Sequence, residues 1–144
     1  MATGDMITVR GSYATIQAAT STANGAFCSG SRTAIGTALA ATEEDYPLLD
    51  LKLAVSSGTP TENGKVDVYR IPSDGTDAEP TPAGSFAPHY VGSFVMDNTA
   101  STEYYIYGVA NVDQNDTYIM YNNDGTSTLT IALSARGRSV NQAS

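Results

Sequence analysis

Leu48-Leu49-Asp50-Leu51-Lys52-Leu53-Ala54-Val55 is the stretch whose reading decides the fold. Side chains of an extended strand alternate between two faces, so Leu49, Leu51, Leu53 and Val55 share one side while Asp50, Lys52 and Ala54 share the other. The first side is a core face and the second faces water. A second alternating run, Lys65 to Ile71, follows the turn-rich Ser56-Ser57-Gly58-Thr59-Pro60-Thr61-Glu62-Asn63-Gly64. The centre of the chain therefore reads as two strands joined by a loop.

Working outward, residues 1–24 mix Ala, Thr, Ser and Gly around isolated Ile7, Val9 and Ile16, too little bulk for a core. They are expected to form an extended N-terminal arm. Residues 25–139 are expected to form the folded domain and residues 140–144 a polar C-terminal tail. Within the domain, Ala26 to Ile35 is compatible with β structure, and Ala38-Leu39-Ala40-Ala41 is too short to favour a helix. Residues 72–88 hold Pro72, Pro80, Pro82 and Pro88, and proline removes backbone donors, so this is a long surface loop. Strand character resumes from Tyr90 to Met96. Glu103-Tyr104-Tyr105-Ile106-Tyr107-Gly108-Val109 is aromatic and β-branched on both faces, which suits a central strand. Thr117 to Tyr121 and Ser127 to Ala135 flank Asn122-Asn123-Asp124-Gly125-Thr126, a hairpin signature. About seven or eight short strands between turns predict an all-β fold, an antiparallel β-sandwich or jelly roll.

The chain has 144 residues, enough for one domain with a sizeable core. Seven Lys and Arg against fifteen Asp and Glu give a net charge of −8, and Arg10, Arg32, Lys52, Lys65 and Arg70 are scattered, only Arg136 and Arg138 lying close together. Nucleic acid and anionic membranes are thus disfavoured as partners. The N-terminus carries no charged-then-apolar leader pattern, and no run of apolar residues is long enough to span a bilayer, so synthesis in a cytoplasm is expected. The single Cys28 forms no internal disulfide and beside Phe27 reads as a buried, inert thiol.

Residue types that carry chemistry are sparse. The only histidine, His89, follows Pro88 and has no base partner at sequence level. Glu103 is the one acid that tempts a paired-carboxylate reading, and lacks an evident second member. Asn111-Val112-Asp113-Gln114-Asn115-Asp116 offers alternating oxygen ligands but lacks the glycine and bidentate glutamate of a calcium loop, so a turn is the better reading and Asp113 to Asp116 stays open as a cation site. Tyr104, Tyr105, Tyr107, Tyr118 and Tyr121 divide between packing and an outward face suited to a protein interface. No catalytic, cofactor-binding or metal-binding residue is assigned, and the protein is read as a non-enzyme.

The succession Leu49-Asp50-Leu51-Lys52-Leu53, Asn63-Gly64-Lys65-Val66-Asp67-Val68-Tyr69-Arg70, Tyr90-Val91-Gly92-Ser93-Phe94, Tyr104-Tyr105-Ile106-Tyr107-Gly108-Val109 and Leu129-Thr130-Ile131-Ala132-Leu133-Ser134-Ala135-Arg136 resembles the jelly-roll capsid decoration (cement) proteins of tailed bacteriophages. The resemblance spans residues 46–138 and lies in strand order and texture, with no functional residue to transfer. It implies a homotrimer on the outer surface of a virion head, holding the phage major capsid protein; on the reading of the residues themselves, the arm 1–24 is the first candidate for that contact and the loop 72–88 the second. The alternative is a carbohydrate- or receptor-binding module of a tail fibre or baseplate, and a glycan-processing enzyme is a third class.

Overall fold

Leu49, Leu51 and Leu53 are fully buried and Val55 nearly so, as the alternation requires. They lie on β3 of a computed structural model that describes residues 6–41 and 46–142. Strands are β1 (Met6–Arg10), β2 (Ala14–Thr22), β3 (Leu48–Ser57), β4 (Lys65–Ile71), β5 (Tyr90–Val95), β6 (Glu103–Ala110), β7 (Thr117–Asn123) and β8 (Leu129–Gln142), with one helical turn, α1 (Ile35–Ala38). The larger sheet has the order β1-β8-β3-β6, with β2 also on β8, and the smaller has the order β5-β4-β7. Every pairing is antiparallel. The protein is an all-β antiparallel sandwich.

The pairings nest. β1 and β2 follow one another along a single edge of β8, from Met6 opposite Gln142 to Thr22 opposite Leu129. Residues 25–28 lie on the free edge of β7, where the Gly25 and Cys28 N–H groups donate to the carbonyls of Asn122 (2.7 Å) and Met120 (2.8 Å). Inside these, β3 pairs with β6 and β4 with β5. The contacts of β8 with β3, and of β7 with β4, then close the ribbon into two layers.

The core forms where the two inner faces meet: Ile16, Leu49, Leu51, Leu53, Leu129, Ile131 and Leu133 from the larger sheet, Val66, Val68, Phe94, Tyr118 and Met120 from the smaller. Each such side chain contributes about 1.5–3 kcal/mol by leaving water. The turn α1 exists because Ile35 and Leu39 are drawn into this core, a tertiary gain that overrides the weak local helix propensity.

Several sequence expectations are corrected. Of the presumed arm 1–24, residues 14–22 are a strand of the larger sheet and residues 6–10 pair with β8; residues 1–5 lie outside the described residues. The composition misled because β2 is anchored by a polar residue. Gln17 is fully buried; its amide donates to the carbonyls of Cys28 (3.0 Å) and Gly30 (3.2 Å), and its carbonyl accepts the Met120 N–H (2.9 Å). One side chain thus ties β2 to β7 and to the segment 28–30 beside it. The presumed tail begins inside β8, where Val140 opposes Thr8; residues 143–144 lie outside the described residues. The aromatic strand β6 is at an edge, not the centre. The Asp-Gly turn at 124–125 joins strands of different sheets, so it is a crossing and not a hairpin.

That crossing is latched. Asp124, buried, accepts the Thr61 N–H (2.7 Å), the Thr61 hydroxyl (2.8 Å) and the Ser127 N–H (2.8 Å), tying the β3–β4 loop to the β7–β8 loop. Burial acts to raise its pKa, but the backbone donors of Thr61 and Ser127 outweigh it and the net shift is downward. A depressed carboxyl stabilises the fold above its unfolded pKa and loses that contribution as pH falls through the folded value. Asp124→Ala should therefore cost about 2 kcal/mol at pH 7, and the gap to the wild type should close as pH drops below about 4. Urea denaturation across pH measures it; a pH-independent gap would mean that the charge of Asp124 contributes nothing.

Candidate functional site

The outer face of the larger sheet collects what the sequence disperses. Alternation turns Asp50 and Lys52 outward on β3, Arg136 and Arg138 outward on β8, and Tyr105 and Tyr107 outward on β6. The register sets Asp50 opposite Arg136, Lys52 opposite Tyr105 and Arg10 opposite Arg138. Four of the chain's seven Lys and Arg residues share this face in a molecule of net charge −8. The scatter of cations along the sequence is thus not their arrangement in space.

Asp50 organises the face. Expected to be wet, it is fully buried beneath guanidinium groups. Its Oδ2 accepts a hydrogen bond from Arg136 Nε (3.0 Å) and lies 3.7 Å from Arg10 Nε, while Oδ1 accepts the Gly108 N–H (3.1 Å) and lies 3.7 Å from Arg138 Nη1. One carboxylate facing three guanidinium groups leaves an excess of positive charge, and such a buried carboxylate is tenable only because it is so fully paired. Gly108 makes room. It bulges β6 with φ 73°, and a Cβ there would stand 3.2 Å from Arg138 Nη1.

Aromatic rings frame the charges. Arg136 lies 4.6 Å from the Tyr13 ring centre and Lys52 Nζ 5.0 Å from it. Tyr13 meets Tyr105, whose ring is parallel to that of Tyr107 at 5.9 Å. Burial raises the Tyr13 hydroxyl pKa, an effect that Arg136 partly offsets. Glu103, the acid singled out in sequence, is paired with Lys52 at 3.2 Å on the same face.

A second region lies at one end of the sandwich, where the β4–β5 and β6–β7 loops meet. Clefts of about 590, 540 and 370 Å³ all border Val112, which is 59% exposed. Asp116, almost fully buried, accepts from Arg70 Nη1 (2.9 Å) and from the Ser73 N–H (3.1 Å). Asp113 accepts the Asn115 N–H (2.8 Å) in a local turn. Both acids are thereby engaged by the protein's own donors. The Tyr118 hydroxyl, buried near Asp116, is pushed up to about 12 by burial and then by that negative charge. His89 adopts left-handed backbone (φ 59°), and its Nε2 pairs with Glu79 at 2.6 Å.

The loop 72–88 folds back twice, through bridges between Ser73 and Ala78 and between Ala83 and Phe86. In the first turn the Asp74 carboxylate accepts the N–H groups of Asp77 (2.7 Å) and Thr76 (2.8 Å), which hold its pKa low. The second turn presents Phe86, 43% exposed. Of the sequence candidates, Cys28 is in the core, and His89 and Glu103 lie in separate ion pairs. Among the described residues no group of His, Cys, Asp and Glu is placed to hold a metal ion. The arginine face was missed because its members come from three strands far apart in sequence; Arg136-Gly137-Arg138, two apart and so on one face, was the available sign. No protein-family model matches the chain, and no curated protein matches it.

Proposed function

We propose that the chain is a virion structural protein, a capsid decoration (cement) protein that binds the outer surface of a phage head as a homotrimer and stabilises the major-capsid lattice. The observation that carries this reading is the nested pairing: counting β1 and β2 together as the first extended segment and residues 25–28 as the second, the first pairs with the eighth, the second with the seventh, the third with the sixth and the fourth with the fifth. This nesting supports a jelly-roll reading, in which eight strands form a folded double-layer ribbon. The engagement of Asp50, Glu103, Asp116 and His89 in internal pairs is in keeping with a role without catalysis.

With residues 6–22 built into the sheet, the arm they were expected to form is not free to clamp a shell, and the contact passes to the loop 72–88, through Phe86. Weak contacts of this kind add when several copies engage one lattice. Purified heads lacking the protein should bind it, and decorated heads should release DNA at a higher temperature than bare ones; Phe86→Ser should weaken attachment about ten-fold. Co-purification with tails and not with heads would sink the proposal. The second reading, a carbohydrate- or receptor-binding module, draws on the exposed Tyr105 and Tyr107, and glycan-array binding lost in Tyr107→Ala would select it.

A further inference from the structure

The outer face of the larger sheet carries four cations against Asp50 and Glu103, an imbalance that nothing else on that face corrects among the described residues. The complementary imbalance is on the same molecule. The first turn of the β4–β5 loop presents Asp74, Asp77 and Glu79, all exposed, of which, among the described residues, only Glu79 has a side-chain ion pair, with His89. We infer that the Arg/Tyr face of one copy receives the acidic turn 74–79 of a second copy, in a head-to-tail contact.

Both halves are held in shape before they meet, which lowers the ordering cost of association. On the face, Arg136 is fixed between Asp50 and the Tyr13 ring, and Tyr105 and Tyr107 stand 45% and 57% exposed beside it. Arginine and tyrosine are the residues that most often anchor protein interfaces. In the turn, Asp74 is locked by the N–H groups of Thr76 and Asp77, and the Glu79 N–H donates to the Pro72 carbonyl (3.0 Å). The overall charge of −8 opposes a polyanion such as nucleic acid but not one rigid acidic turn brought to a local basic patch. A contact between two different patches of the same protein is heterologous, and it closes into a ring when the rotation permits. The inference rests on the homotrimer reading only for the number of copies, and its test needs no capsid.

Sedimentation velocity on the wild-type protein should show a reversible oligomer at low salt that dissociates in about 1 M salt, where charges are screened beyond about 3 Å. A face variant (Arg10→Glu with Lys52→Glu) and a turn variant (Asp77→Lys with Glu79→Lys) should each weaken self-association about ten-fold or more. Mixing the two should restore association, because the charge-reversed face then meets a charge-reversed turn. Tyr107→Ser, which leaves every ion pair intact, serves as a second face variant and should weaken association too; melting curves verify that each variant is folded. A wild-type protein that stays monomeric at low salt, or folded variants that associate as the wild type does, would overturn the inference. So would single-stranded DNA binding that the face variant abolishes, which would assign the face to nucleic acid. Normal head binding by a monomeric wild type would refute this contact and leave the decoration reading standing.

Discussion

A protein lacking residues 1–22 is expected to lose its cooperative unfolding transition altogether. The deletion strips β8 of the strands along one edge, uncovers the core at Ile16, and removes Gln17. Each buried group that Gln17 satisfies, the carbonyls of Cys28 and Gly30 and the N–H of Met120, then loses its partner at about 1–3 kcal/mol. Adding the lost burial of Ile16, about 1.5–3 kcal/mol, brings the total into the range of a whole domain's stability, about 5–15 kcal/mol. Far-ultraviolet circular dichroism during heating, with amide dispersion by NMR, measures the outcome. A truncated protein that melts as sharply as the full chain would show that β2 is dispensable.

The second large effect is expected at Asp50. Asp50→Ala leaves Arg10, Arg136 and Arg138 crowded around a vacated site, and breaking a buried ion network from one side costs about 3–5 kcal/mol. Asp50→Asn, able to keep an acceptor for the Gly108 N–H but not the charge, should fall between the two. Urea midpoints with an unchanged denaturant slope would locate the loss in the native state. A shift below about 1 kcal/mol would mean that water, and not Asp50, solvates the three guanidinium groups.

The parts of the fold legible in the sequence are those in which each strand has one apolar face. β3 and the first half of β8 announce themselves through Leu49, Leu51, Leu53 and Leu129, Ile131, Leu133, because burial acts on alternate residues of a single strand. β2 does not, since its buried residues are Ile16, Gln17 and Thr22, and the partners of the Gln17 side chain lie 11, 13 and 103 residues away. The edge position of β6 was hidden for a related reason: Tyr105 and Tyr107 look like buried strand residues until their neighbours turn out to be Tyr13 and the arginine cluster. Alternation places Asp50 on the outer face, as observed, but three long side chains from other strands cover it and leave it buried. Register is a property of pairs of strands, and no single segment carries it.

The nesting of the strands also bears on how the molecule comes into being. β8 follows all the other described strands in chain order, yet it sits inside the larger sheet, flanked by β1 and β2 on one side and β3 on the other. Until it leaves the ribosome, β2 and β3 have no partner between them, and Ile16, Leu49, Leu51 and Leu53 have only half a layer to pack against. Pairings as remote as Met6 with Gln142 give a high contact order, which places folding in the range of about milliseconds to seconds. A nascent chain would thus carry these apolar strands uncovered until β8 emerges, and folding would proceed as one closure in which β8 slides between two strands that have been waiting for it.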